Sequence, residues 1–293
     1  MSEKKTNGAG EERARMLLSC PDQPGIVAKV SRFLFDAGAN IVQSDQYTMD
    51  PEGGMFFIRI EFDLTNLADR LESLERDFSV VAGDLKAEYT ISPAARRKKL
   101  AVLVSKEDHC LLELLWQWKA GNLQADIAMV ISNHEDMREA VEAFNIPYHY
   151  IPVTPGTKQE AEAQQLELTV GQVDAVVLAR YMQIISPTFI EAFKNRMINI
   201  HHSFLPAFVG GKPYAQAYDR GVKIIGATAH YVTEELDGGP IIEQDVQRVS
   251  HRDNVTDLKR IGRHIERIVL ARAVAWHVED RIITHHNKTV VFN

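Results

Sequence analysis

The order of apolar and polar positions divides the chain into two halves of different grain. In the first, Arg15 to Ser19 is a short apolar run. Pro24-Gly25 then opens a stretch with Ile26, Val30, Phe33 and Leu34 near helical spacing, closed by Gly38. Asn40 to Met49 and Met55 to Phe62 read as strands joined by the turn Asp50-Pro51-Glu52-Gly53-Gly54. Leu67, Leu71 and Leu74 mark a second helix, and Leu85 to Ile91 a last strand. A βαββαβ unit of this size predicts a ferredoxin-like α+β domain.

In the second half, short and nearly continuous apolar runs alternate with helical patterns. Leu100 to Val104, Ile127 to Ile131, Tyr148 to Ile151, Ala175 to Ala179 and Met197 to Ile200 suit strands buried on both faces of a sheet. Ser186-Pro187 is a good N-cap followed by proline at the first helical position. The alternation predicts a doubly wound, mostly parallel α/β domain. Two further strands, Ile224 to Val232 and Pro240 to Val246, flank a turn, and a long helix runs from about Asn254 to Ile283. Between the halves, Ser92-Pro93 and the four cations Arg96 to Lys99 predict a linker. The expected division is a flexible tail over 1–12, a first domain over 13–91, a linker over 92–99 and a second domain over 100–293.

Composition narrows the function classes. At 293 residues, with 45% hydrophobic and 25% charged positions, the chain suits a two-domain globular protein. A net charge of -7 argues against nucleic acid or an anionic membrane surface as the main partner. Cys20 and Cys110 stand in no metal-binding or disulfide pattern. No run approaches the roughly 18 apolar residues of a membrane span. A soluble, cytoplasmic protein is expected.

The chemistry concentrates in Asn199-Ile200-His201-His202-Ser203-Phe204-Leu205-Pro206. On a strand, Asn199 and His201 point to the same side. A carboxamide and an imidazole would then converge at the strand's C-terminal end, where open α/β sheets bind ligands and where a developing oxyanion needs donors. Asp237 precedes Gly238 and Gly239, and its carboxylate beside His201 would favour the imidazolium and take a proton from water. Singly, each residue has a plain alternative: Asp-Gly is a common turn, and a strand-end histidine is often structural. Adjacent His201 and His202 suggest a metal. However, strand neighbours face opposite ways and no carboxylate partner completes a site, so no metal is expected. Ser203 lacks the context of a serine nucleophile.

The second half resembles the folate-dependent formyltransferase fold, on its Asn199-Ile200-His201 strand end, its Ser203, Leu205 and Pro206, and Asp237 in the Thr228 to Pro240 segment. The resemblance implies that Asn199 and His201 polarise a formyl group while Asp237 handles protons, with His230 in support. It implies a folate site near Leu178 to Ile185, including Met182, Gln183 and Ile185, and around Val232, Thr233 and Glu235. The apolar run there reads equally well as ordinary core. In the relatives that formylate glycinamide ribonucleotide, a Gly-rich loop after the first strand cradles the substrate phosphate. Here that loop reads Ser105-Lys106-Glu107-Asp108-His109-Cys110, without glycine and with two carboxylates. Water is then the expected acceptor, and the chain resembles the formyltetrahydrofolate deformylase family along nearly its whole length. That resemblance implies hydrolysis of 10-formyltetrahydrofolate to tetrahydrofolate and formate, balancing the one-carbon folate pool and supplying formate for purine synthesis. It implies no required cofactor, folate being the substrate.

In the first half, Cys20-Pro21-Asp22-Gln23-Pro24-Gly25-Ile26-Val27 and Gly38-Ala39-Asn40-Ile41 resemble the signature of ACT domains, which often bind small amino acids between paired copies. The resemblance implies Asp22, Gln23, Gly25, Ile26, Asn40 and Ile41 as regulatory contacts, methionine and glycine as effectors, and a dimer or tetramer. Without it, Pro24-Gly25 simply starts a helix. Two other readings stand beside the hydrolase: a formyltransferase to an amine acceptor, for which no second substrate pocket is legible, and a non-catalytic folate or amino-acid sensor, which has no need of Asn199, His201 and Asp237 together.

Overall fold

The computed structural model describes residues 12–50, 53–207 and 213–293. The expected tail and the tip of the turn at Pro51-Glu52 lie outside the described residues, except for Glu12. The chain divides into two compact units. The first takes in the described residues up to Arg97 together with Glu279–Ile283 and Val290–Asn293; the second takes in Lys98–Val278 and Thr284–Thr289.

The first unit runs β1 (Arg13–Pro21), α1 (Ile26–Asp36), β2 (Asn40–Met49), β3 (Met55–Asp63), α2 (Leu67–Leu85) and β4 (Glu88–Pro93). The sheet order is β2-β3-β1-β4 with antiparallel neighbours, the ferredoxin-like arrangement. Alternation makes this sheet two-faced. Met16, Leu18, Ile58, Ile60 and Phe62 pack with Val30 and Leu34 of α1 and Leu74 and Phe78 of α2. On the other face Arg59 is only 1% exposed. Its Nε donates to the Asp280 carbonyl at 2.8 Å, and the same guanidinium reaches the Glu279 carbonyl and the Glu61 carboxylate.

Two boundaries differ from expectation. Leu85 ends α2 instead of opening β4, because Phe78, Ala82 and Leu85 extend the buried stripe of Leu67 and Leu74. Lys86, at φ 53°, then breaks the helix. Ser92 and Pro93 close β4 while Lys98 and Lys99 open the next strand, so the connection between them is residues 94–97.

The second unit continues with β5 (Lys98–Val104), α3 (His109–Lys119), β6 (Ala125–Ser132), α4 (Arg138–Glu142), β7 (Tyr148–Tyr150), α5 (Lys158–Thr169), β8 (Ala175–Leu178), α6 (Pro187–Ala192), β9 (Met197–His201), α7 (Pro213–Asp219), β10 (Ile224–Tyr231), β11 (Ile241–Arg248) and α8 (Val255–Val278). The short β12 (Ile282–His285) and β13 (Lys288–Val291) end the chain. The long helix stops at Val278, short of Ile283: Asp280 takes φ 52°, and the Glu279 and Asp280 carbonyls are engaged by Arg59. Ser186 caps α6 as its sequence predicts, accepting from the Phe189 N–H at 3.4 Å with Pro187 beside it.

The seven-stranded sheet has the order β11-β10-β9-β8-β5-β6-β7, parallel from β9 to β7 and antiparallel at β10 and β11. Leu100 to Val104 and Ala175 to Leu178 are wholly buried, as strands covered on both faces must be. From β5 the chain moves outward through β6 and β7, then returns to lay β8 against the other edge of β5. This reversal opens a crevice above the C-terminal ends of β5 and β8.

Candidate active site

The site is built on one antiparallel pair. In the register of β9 and β10, His201 faces Thr228 and Asn199 faces His230. The period of two therefore brings Asn199, His201, Thr228 and His230 onto one side of the sheet. A register irregularity between Ala229 and His230 bends β10 against β11 at this point, which is where such bulges commonly re-aim functional side chains. Thr228 ties down the loop leaving β9: its hydroxyl donates to the Ser203 carbonyl at 2.9 Å and accepts the Leu205 N–H at 3.0 Å. The Leu205-Pro206 peptide there is cis.

Asp237 enters from the loop between β10 and β11. Its φ of 56° lies in the left-handed region, which Asp and Asn tolerate better than most residues. Gly239 lets this loop lie flat on β10, since a Cβ there would meet the Tyr231 carbonyl oxygen at 1.8 Å. The Asp237 carboxylate thereby comes 3.2 Å from His201 Nδ1 and 3.8 Å from His230 Nε2. The contact with His201 holds the Asp237 carboxyl below the usual carboxylate range, outweighing its partial burial.

The hydrogen bonds select a tautomer for His230. Burial lowers its pKa, so the neutral ring is favoured. Its Nδ1 lies 2.9 Å from the Tyr231 carbonyl, which only accepts, so Nδ1 carries the proton. Nε2 is then an acceptor, taking one N–H of Asn199 Nδ2 at 3.2 Å. The second N–H of that carboxamide stays available to a ligand. His201 Nε2 is buried and has no partner among the described residues. The group thus offers a carboxylate, an imidazole nitrogen and an amide donor around one point.

These side chains form the floor of a cleft of about 340 Å³. Its walls include all six residues expected to contact folate: Met182, Gln183 and Ile185 after β8, and Val232, Thr233 and Glu235 after β10. Met182, Ile184 and Leu236 expose more than half of their surface at the rim, whereas Ile185 belongs to the core beneath.

Two cleft residues, and a buried carboxylate behind one of them, are not legible from spacing alone. His202 lies one residue past the end of β9, so strand alternation does not apply to it; its ring packs edge-on against His201 and lines the same cleft. Burial takes its pKa down to about 4. Arg180, at φ 63°, also lines the cleft and stands 3.4 Å from Glu266. Glu266, only 1% exposed, accepts from Tyr214 Oη at 2.5 Å and contacts His109 Nε2 at 2.9 Å. Burial pushes its carboxyl up, but His109 and Arg180 more than compensate and hold it at about 2. Gly262, one turn earlier on α8, makes room for the Tyr214 hydroxyl. A carboxylate in the buried stripe of Ile265, Val269 and Leu270 was the available sequence signal for this network.

His109, Cys110 and Glu266 bring metal-ligand atoms within 4.8 Å of one another. The Arg180 guanidinium already balances the Glu266 carboxylate there, and burial drives the Cys110 thiol well above its usual pKa, which suits a neutral thiol beside an ion pair better than a dication. In the loop after β5, Glu107 and Asp108 both pair with Arg263, so two carboxylates stand at the start of α3 where an anion would otherwise bind. No described helix is long and apolar enough to cross a membrane.

Comparison with known proteins finds the formyl transferase family model matching residues 98–274 and the ACT domain model matching residues 15–78. The chain is 59% identical over 284 residues to the formyltetrahydrofolate deformylase of Bacillus subtilis, covering 97% of this chain and 95% of that one. It is 55% identical to the Mycobacterium bovis protein of the same name, over 95% and 90% of the two chains. The crystal structure of a formyltetrahydrofolate deformylase from Pseudomonas syringae superposes with a TM-score of 0.92 at 47% identity, covering 99% of this chain and 96% of that one.

Proposed function

The chain belongs to the formyltetrahydrofolate deformylase family, and on that premise we propose that it hydrolyses 10-formyltetrahydrofolate to tetrahydrofolate and formate through Asp237, His201 and Asn199. The observation that carries the assignment of roles is the convergence of these three side chains at the floor of one cleft, with the Asn199 amide held by His230. Asp237 orients a water and takes its proton as the oxygen attacks the formyl carbon. The new C–O bond places negative charge on the formyl oxygen, which the free N–H of Asn199 and a protonated His201 receive. Collapse breaks the C–N bond, the folate nitrogen takes a proton relayed from the site, and formate remains. The balance is one water consumed, with one proton released at neutral pH. The chain's own side chains supply every proton transfer, so the reaction calls for no resident cofactor.

In this reading the folate ring system lies among Met182, Gln183, Ile185, Val232, Thr233 and Glu235; their lining of the cleft supports it, because their mixture of apolar surface and polar edges suits a flat heterocycle. Water rather than an amine is the acceptor; Glu107 and Asp108 at the start of α3 support this, because two carboxylates share the single cation Arg263 where a phosphorylated acceptor would sit. The test is formate release from 10-formyltetrahydrofolate with no amine present, beside the same assay with glycinamide ribonucleotide added. Acceptor-independent formate supports the reading, and turnover that requires the ribonucleotide overturns it.

The same reading assigns amino-acid regulation, by methionine and glycine, to the first unit, with Asp22, Gln23, Gly25, Ile26, Asn40 and Ile41 at or near the contact. Gly25 takes φ 89° at the start of α1, which has no side-chain cap, so its first N–H groups suit a ligand carboxylate. Paired copies of this unit would make the protein a dimer or tetramer. A cytoplasmic protein that balances the one-carbon folate pool and feeds formate to purine synthesis completes the reading, and the free, buried Cys20 and Cys110 suit a reducing compartment.

A further inference from the structure

We propose that Arg180 and His202 form a subsite that holds the formate produced by the reaction, an inference that rests on the deformylase reading. Hydrolysis, unlike transfer, leaves a free carboxylate in the cleft beside the Asp237 carboxylate. A small anion there needs a cation and hydrogen-bond donors within reach of His201.

Arg180 supplies the cation. Its side chain is 12% exposed and lines the same cleft as Asn199, His201 and Asp237. Its backbone stands at φ 63°, a conformation that an arginine adopts only when its surroundings impose it. Its Nε is buried without a hydrogen-bond partner among the described residues, although Glu266 Oε2 is 3.4 Å away. Glu266 meanwhile engages Tyr214 and His109, so it balances the guanidinium without saturating its donors.

The second polar edge comes from His202. Its Nδ1 is also buried and without a partner among the described residues, and its ring stands edge-on to His201 with centroids 5.1 Å apart. The ring stays neutral at physiological pH, its pKa taken down to about 4 by burial and by the charge of Arg180, so it can present an N–H without adding charge. Buried polar atoms without partners are uncommon and call for an explanation. Arg180 and His202 both line the cleft, and a planar guanidinium whose one ion-pair partner is shared with Tyr214 and His109, next to an imidazole with an unsatisfied nitrogen, points to a small carboxylate as the further partner.

The test uses the full chain and sodium formate as probe. Titration of ¹³C-formate, followed by NMR line broadening without folate, is expected to saturate for the unsubstituted protein. Added formate is expected to inhibit tetrahydrofolate production. In Arg180→Gln both formate affinities should weaken about tenfold or more, the loss expected for one charge-assisted hydrogen bond. Arg180→Lys, which keeps the charge against Glu266 and so protects folding, should fall between the two. Formate release without saturable formate binding by the unsubstituted protein overturns the subsite and leaves the hydrolase reading standing. A raised KM for 10-formyltetrahydrofolate in both variants, with formate inhibition unchanged, assigns Arg180 to the folate and also overturns it. If no formate is released at all, the deformylase reading fails, and the subsite falls with it.

Discussion

His230 stands directly opposite Asn199 across the β9–β10 pair, and its Nε2 lies 3.2 Å from the Asn199 amide nitrogen. The Tyr231 carbonyl fixes the ring from the other side, so the imidazole acts as a rigid bracket for the carboxamide. Replacing Asn199 by Ala should lower kcat about 100- to 1000-fold, the usual effect of losing one oxyanion donor. His230→Ala should lower kcat by a smaller factor with little change in KM. The double variant should be scarcely worse than Asn199→Ala alone, because His230 acts through Asn199. Steady-state kinetics on the four proteins checks this, and fully additive losses would refute it.

Asp237→Asn isolates charge from shape. Asn tolerates the left-handed backbone that Asp237 adopts, so the loop should keep its course. Turnover should fall by about 100-fold or more, as expected for removal of a general base, while folate affinity changes little. Single-turnover rates and equilibrium folate binding on the same preparation separate the two effects. Near-normal turnover would remove Asp237 from the mechanism.

Acid should destabilise the fold through His202. The folded ring titrates at about 4, against about 6.5 in an unfolded chain, so between these values only the unfolded state binds the proton. Stability therefore falls as pH drops from about 6.5 toward 4, by at most about 1.4 kcal/mol per pH unit from this residue. The depressed Asp237 carboxyl also loses stability on acidification, but only below the ordinary carboxylate range. Urea midpoints measured at pH 7, 6 and 5 should decline, and the decline should flatten in His202→Gln. An unchanged slope in that variant would assign the pH dependence elsewhere.

Arg59 carries the largest buried charge of the first unit. Substitution by Met removes the guanidinium's bonds to Glu61 and to the carbonyls of Glu279 and Asp280, leaving Glu61 only the more distant Arg15 at 3.5 Å. Breaking a buried ion pair from one side costs about 3–5 kcal/mol. Chemical denaturation should show this as a lower midpoint, and pairing the change with Glu61→Gln should recover part of the loss.

Much of the fold was legible because its signals are local. Continuous apolar runs such as Leu100 to Val104 mark doubly covered strands, and period-two spacing is enough to align Asn199 with His201. The failures share another cause. Periodicity carries the helix through to Ile283, because nothing near Asp280 announces that Arg59, some 220 positions earlier, takes its carbonyl. His202 was set apart by strand alternation, yet the strand ends one residue before it. Arg180 looks like any surface arginine until its backbone φ and its distance to Glu266 are known. Periodicity reports neighbours along an element, whereas these features depend on residues that meet only once the sheet is assembled.

The bond from Arg59 to Asp280 also sets a schedule for the newborn chain. The βαββαβ portion leaves the ribosome ahead of the second unit, with all four of its strands in hand. Yet it emerges without the bonds that Arg59 makes to residues 279 and 280, which are made some 220 positions later. The module translated ahead of Lys98–Val278 is therefore completed only after it, and a ribosome that stops short of residue 279 releases an open version of it, however perfect the sequence up to Arg97.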